Sequence, residues 1–215
     1  MPEAPIIFLG PSLPLETARA ILPGADFRPP IRRGDLLGIS PDSTSSVGII
    51  DGVFFQGLAI SPKEILPLLR KGVRVRGASS MGALRAVELM GHGMTGVGRI
   101  FERFRSGRLI ADDEVALTFD PETLRPVSEP LVNIRFALSA ARAAGLISLA
   151  ELIGLTRAMK GIYFPDRTRE RFFVEARRLL GSERAAQLQA WWLHSSPDVK
   201  GEDATMLLRM MAGGA

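Results

Sequence analysis

Three short apolar runs, each ending in a small residue and each followed by a helical stretch, constrain this chain more than any other feature. "PIIFLG" (5–10) leads into "PLETARAIL" (14–22), and "VGIIDG" (47–52) leads on to "SPKEILPLLRKG" (61–72). "VRVRG" (73–77) then runs almost directly into "GALRAVELM" (82–90). Short apolar strands alternating with amphipathic helices predict a parallel sheet covered by helices. "PGADFRPPIRRGD" (23–35), rich in Pro and Gly, reads as a connector between the first helix and the second strand.

Beyond residue 95 the pattern turns helical. "GVGRIFERFRSG" (96–107) places Val97, Ile100, Phe101 and Phe104 on one face. Further helical segments follow at 129–145, 148–161, 167–181, 182–194 and 201–211. The expected fold class is therefore α/β: a short, mostly parallel sheet with flanking helices in the N-terminal part, followed by a mainly helical C-terminal part. The boundary is expected at 125/126, with 1–125 as the core that holds the site and 126–215 packed on it. Trp191 and Trp192 read as core and interface, and the tail "AGGA" (212–215) as frayed.

Composition narrows the chemistry. At 46% hydrophobic and 23% charged, the 215 residues suit a globule. No apolar run approaches the roughly 18 residues of a membrane span. The N-terminus lacks a basic n-region, so a cytoplasmic protein with no membrane partner is expected. The absence of cysteine rules out a thiolate nucleophile, a disulfide and a Cys-based zinc site. With only His92 and His194, no metal or other cofactor is expected. The net charge of +4 rests mainly on arginine, which suits carboxylates and phosphates. No basic patch interleaved with aromatics points to nucleic acid, so none is expected as partner.

In open α/β sheets ligands sit beyond the carboxyl ends of the strands. Those ends here are Gly10-Pro11-Ser12, Asp51-Gly52 and Gly77-Ala78-Ser79-Ser80. "ASSMG" (78–82) fits a nucleophile elbow centred on Ser80, with the Met81 N–H placed to stabilise an oxyanion. Ser79 is the competing nucleophile or an oxyanion helper. The same residues also read as a helix cap behind a Gly-rich turn.

A serine nucleophile needs a base. His92 falls at a helix C-terminus, where the dipole favours its protonated form. Lys63 is the expected alternative. Ser61 reads as N-cap, Pro62 as the first helical residue and Glu64 as the partner in a capping box. Lys63 then sits at the positive end of a helix, which favours the neutral amine. A merely exposed Lys63 fits the same pattern. "ADDEVA" (111–116) reads as a solvated acidic turn rather than a metal site. Glu129, Asn133 and Arg135 lie near a helix start, where Asn133 and Arg135 are placed to reach a site or partner or, equally, to serve as a cap and a surface salt bridge.

The sequence resembles the TfuA-like family. The resemblance rests on "IFLGPSL" (7–13), "IIDGVF" (49–54), "KEIL" (63–66), "GVRVRGASSMGALRAVEL" (72–89), "GMTGVGRIFERFRSGRL" (93–109), "DDEVAL" (112–117), "SEPLVNIR" (128–135) and "YFPDRT" (163–168). It implies a thioamidation accessory protein acting beside a YcaO-type cyclodehydratase. The implied reaction is hydrolysis of the thiocarboxylate of a ThiS-like sulfur-carrier protein by a Ser–Lys pair, releasing sulfide. Matching of motifs puts the serine within Gly77–Gly82 and the lysine at Lys63. Family members with "WHKEIL" have a histidine where this chain has Pro62. Gly10, Ser12, Asp51, Gly52, Gly77, Met81 and Arg85 are expected to line the substrate groove, with Arg74 and Arg76 also placed to hold an anion. The alternative role is a non-catalytic adaptor that docks on YcaO and tightens its grip on the peptide.

Overall fold

The computed structural model describes residues 4–54 and 57–213, so the last two residues of the expected frayed tail lie outside it. The chain divides into two compact units, 1–110 with 200–215, and 111–199. The position expected as a boundary, 125/126, falls inside the second unit, and the final helix belongs with the sheet.

The first unit is built on five strands: β1 (Ile6–Phe8), β2 (Asp26–Arg28), β3 (Ser46–Ile49), β4 (Arg74–Ala78) and β5 (Thr95–Val97). All pair in parallel, in the order β2-β1-β3-β4-β5. The expected α/β class with a parallel sheet is what forms. Two strands fall where the sequence reads otherwise. β2 lies inside the apparent connector, and β5 occupies the start of the apparent helix at 96–107. Three residues are too few to show a period of two. These strands exist because a neighbour offers its edge: Ile6 pairs with Asp26, and Arg76 with Thr95.

The helices are α1 (Leu15–Ile21), α2 (Pro62–Arg70), α3 (Met81–Leu89), α4 (Gly98–Arg105) and α5 (Leu131–Ala143). They continue with α6 (Leu149–Lys160), α7 (Arg169–Leu180), α8 (Ser182–Ser195) and α9 (Val199–Ala212). Ala204, Leu207 and Leu208 of α9 pack with Ala18 of α1 against Ile7, Ile50, Ala78 and Val97. Gly48 in β3 makes room for this. A Cβ there would lie 2.8 Å from Ile7 Cδ1, 2.9 Å from Met211 Sδ and 3.1 Å from Leu207 Cδ2. The last helix is thus seated on the middle of the sheet.

The second unit contains α5 to α8, packed around Leu131, Leu138, Leu155, Phe172 and Trp192. Trp192 lies in this core, its ring 4.4 Å from that of Phe172, and the half-buried Trp191 packs against it. The acidic turn is not simply solvated, as the sequence had suggested. Glu114 is buried and takes two hydrogen bonds from Arg135, of 2.8 and 2.7 Å, while Asp113 accepts from Arg167 at 2.9 Å. Asn133 donates to Asp198, and Glu129 pairs with Arg169. These polar residues near the start of α5 hold the unit together.

Candidate active site

The strand order reverses between β1 and β3, which opens a crevice at their carboxyl ends. Asp51 lies just beyond β3, and its carboxylate organises the turn beyond β1. Oδ2 accepts from the N–H of Gly10 at 2.9 Å and of Ser12 at 3.0 Å, and Oδ1 accepts from the Ser12 hydroxyl at 2.6 Å. Ser12 Oγ in turn accepts from Ser79 Oγ at 2.8 Å. Two strand ends far apart in sequence are tied by one buried carboxylate.

The turn from β4 into α3 brings in the serine pair. Ser79 has a φ of 65°, a left-handed conformation that costs a non-glycine residue about 1–3 kcal/mol. Ser80 is the N-cap residue of α3, and its side chain makes no cap hydrogen bond. The reading of two hydroxyls as helix caps therefore fails for both: Ser79 faces Ser12, and Ser80 faces an amine. The turn is tight because its glycines touch backbone. A Cβ on Gly82 would stand 1.8 Å from the Ile49 carbonyl oxygen, and one on Gly77 would stand 2.1 Å from that of Gly82. Gly52 is held small by Met81, whose Cγ would lie 2.7 Å from an added Cβ. Pro30 imposes the same limit on Gly10, its Cγ only 2.4 Å from an added Cβ.

The amine comes from α9. Lys200 Nζ donates to Ser80 Oγ at 3.2 Å and stands 4.0 Å from Asp51 Oδ1. Lys200, Ser80 and Asp51 are each 2% exposed. A serine hydroxyl, a lysine amine and a carboxylate thus share one buried site, together with the Ser79–Ser12 hydroxyl pair.

Lys63 stands elsewhere. The capping box forms as the sequence predicts: Ser61 Oγ accepts from the Lys63 N–H, and the Glu64 carboxylate accepts from the Ser61 N–H. The Lys63 side chain nonetheless points to solvent. The lysine in contact with Ser80 is Lys200, near the end of the chain and far from every motif quoted above. The only sequence signal that bears on it is the scarcity of lysine. Only four of the 27 Lys and Arg residues are lysines, which leaves few amines that could meet a serine.

Arg85 donates to the Ile60 carbonyl at 2.9 Å and pairs with Glu88. Arg76 is buried, donates to Ser46 Oγ, and has its pKa lowered by burial and by the nearby Arg74. Arg74 is exposed. His92 is exposed at the end of a single 3-10 turn. A cleft of about 350 Å3, lined by Phe8, Arg28, Pro29, Pro30, Arg32 and Asp35, opens beyond β1 and β2. Its Pro30 wall packs on Gly10, which donates to Asp51.

Among the described residues, no helix is long and apolar enough to cross a membrane. A family model described as TfuA-like protein matches residues 51–168, more than half of the chain. No curated protein matches it.

Proposed function

The chain belongs to the TfuA-like family, whose context is peptide thioamidation beside YcaO partners, and on that premise we propose that it is a Ser–Lys hydrolase. Its substrate in this reading is the C-terminal thiocarboxylate of a ThiS-type sulfur carrier, and its product is sulfide for YcaO. The observation that carries the reading is the buried contact of 3.2 Å between Lys200 Nζ and Ser80 Oγ.

In that reaction Lys200, as the neutral amine, takes the proton of Ser80 as its oxygen attacks the thiocarboxylate carbon. The oxygen of the tetrahedral species meets the N–H of Met81, which lies in the first turn of α3 and has no acceptor within the helix. The ammonium formed on Lys200 gives its proton to the departing sulfur as the C–S bond breaks, so that hydrosulfide leaves, an ester on Ser80 remains and Lys200 is again the neutral amine. Water, deprotonated by Lys200, then cleaves the ester to give the carrier carboxylate and free serine. Ser80 rather than Ser79 is the nucleophile because the amine meets Ser80, while the Ser79 hydroxyl donates to Ser12. Asp51 holds Ser12 in place and faces the ammonium that forms on Lys200.

The test is sulfide release from a thiocarboxylated carrier by wild type, Ser80→Ala and Lys200→Ala. Release by wild type and its loss in both variants is the expected result. A wild type that releases none, yet tightens the hold of YcaO on its peptide, makes the protein an adaptor instead.

A further inference from the structure

Lys200 lies at the start of α9, and a long side chain on a terminal turn needs its helix fixed to stay aligned. Three residues on, Asp203 shares the same helical face. It is 1% exposed, and its carboxylate accepts the N–H of Arg99 at 2.9 Å through Oδ1 and that of Ile100 at 2.8 Å through Oδ2. These are first-turn donors of α4 with no acceptor in their own helix. Gly98 shapes the contact: its φ is 96°, and a Cβ on it would stand 2.2 Å from Asp203 Cγ. Arg99 and Glu202 add an exposed ion pair between the same two helices.

We propose that Asp203 is a positioning residue: by clasping the start of α4 it fixes the rotation and register of α9, and so holds the Lys200 amine against Ser80 and Asp51. Its catalytic consequence rests on the Ser–Lys reading above, but the positioning itself does not. Burial is the cost of this arrangement. It raises the Asp203 carboxyl to about 6, against the pull of the two N–H donors and Arg99 and with a further push from Glu202. A buried carboxylate kept under that penalty fits a group retained for geometry.

The four lysines provide a readout independent of activity. Lys63, Lys71 and Lys160 are exposed, and Lys200 is buried. Brief reductive methylation of the intact chain, followed by peptide mapping, reads each lysine separately. Wild type should modify the three exposed lysines and spare Lys200. Asp203→Ala removes the clasp, and Gly98→Ala pushes the carboxylate out of it. Both should speed modification of Lys200 about tenfold or more, leaving the other three unchanged. Asp203→Asn keeps an acceptor for one N–H and should fall between. Leu207→Ala, which weakens the sheet face of α9 away from the clasp, should leave Lys200 better protected at a matched loss of Tm. Lys200 equally protected in wild type, Asp203→Ala and Gly98→Ala would overturn the proposal, as would Leu207→Ala matching them.

Sulfide release gives the second arm. Asp203→Ala should lower kcat with KM unchanged and add nothing to the loss in Lys200→Ala, whereas a further loss there overturns the route through Lys200. If wild type releases no sulfide, the hydrolase reading fails and methylation alone decides the positioning.

Discussion

Lys200 Nζ donates to Ser80 Oγ although 120 residues separate them in the chain. The contact lies where the β4–α3 turn meets the last helix. Under the Ser–Lys reading, Lys200→Ala should slow sulfide release by about 10²–10⁴-fold, the usual contribution of a positioned base. Ser80→Ala should lose about 10³-fold or more. Lys63→Ala, at a solvent-facing position, should stay within about twofold of wild type, the scale of a surface change. Steady-state assays on the four proteins decide it, and a Lys63→Ala variant as impaired as Lys200→Ala would restore the lysine implied by the family resemblance.

Most of the sheet was legible from local pattern, and the lysine that meets Ser80 was not, for one physical reason. The runs around Ile7, Val47 and Val75 announce themselves because each is apolar, bounded and followed by a helix. β2 and β5 are three residues long, and their pairing is decided by β1 and β4, which local sequence does not report. The Ser80 turn was legible because its tightness demands Gly77 and Gly82 at fixed offsets. Lys200 sits in "PDVKGEDA", where nothing local marks it. Its place beside Ser80 depends on α9 folding back onto β3, and the notch that permits this is Gly48, which reads in sequence as an ordinary strand glycine.

Asp51 should matter to stability as much as to any reaction. Its two oxygens take three donors in a buried setting. Asp51→Asn puts an NH2 group where one oxygen accepts, leaving buried donors facing a donor at about 1–3 kcal/mol for each unsatisfied group. The variant should unfold at clearly lower urea concentration than wild type. Ser12→Ala, which removes one link in the chain from Ser79, should cost about 1 kcal/mol. Equal midpoints for Asp51→Asn and wild type would show that the carboxylate does not organise the turn.

Stability should also fall as pH rises toward neutrality, through Asp203. Its carboxyl is raised from 3.8 to about 6 by burial, so between those values the folded protein binds a proton that the unfolded chain has released. The protonated form is thus favoured by folding, and the stability it contributes is present below about pH 4 and lost as pH passes 6. The loss is about 3 kcal/mol, the free energy of holding that proton between about pH 4 and 6. Asp203→Asn does not titrate and lacks this slope. Urea unfolding of both proteins at intervals from pH 4 to 7 isolates the effect, since every other group cancels in the difference. A difference constant with pH would place the Asp203 carboxyl near its ordinary value.

In the second unit, stability should be most sensitive at Arg167. This side chain is fully buried, and its guanidinium donates to the carbonyls of Met159, Asp113 and Ile162 and to the Asp113 carboxylate. It joins the end of α6, the acidic turn and the approach to α7, and three of its four acceptors are backbone oxygens. Arg167→Met keeps much of the volume and removes every donor, so the loss reports hydrogen bonding rather than a cavity. About 3 kcal/mol or more is expected, because the Asp113 and Ile162 carbonyls lose this donor together while the Met159 carbonyl keeps the Ile162 N–H. Arg167→Lys, with one compact ammonium in place of a planar fork, should recover only part of it. Asp113→Asn tests the charge alone: Asp113 is 40% exposed in its side chain, so that change should cost under about 1 kcal/mol. Thermal melts of the three variants give the ranking. Should Asp113→Asn prove as damaging as Arg167→Met, the ion pair and not the carbonyl cradle holds this corner.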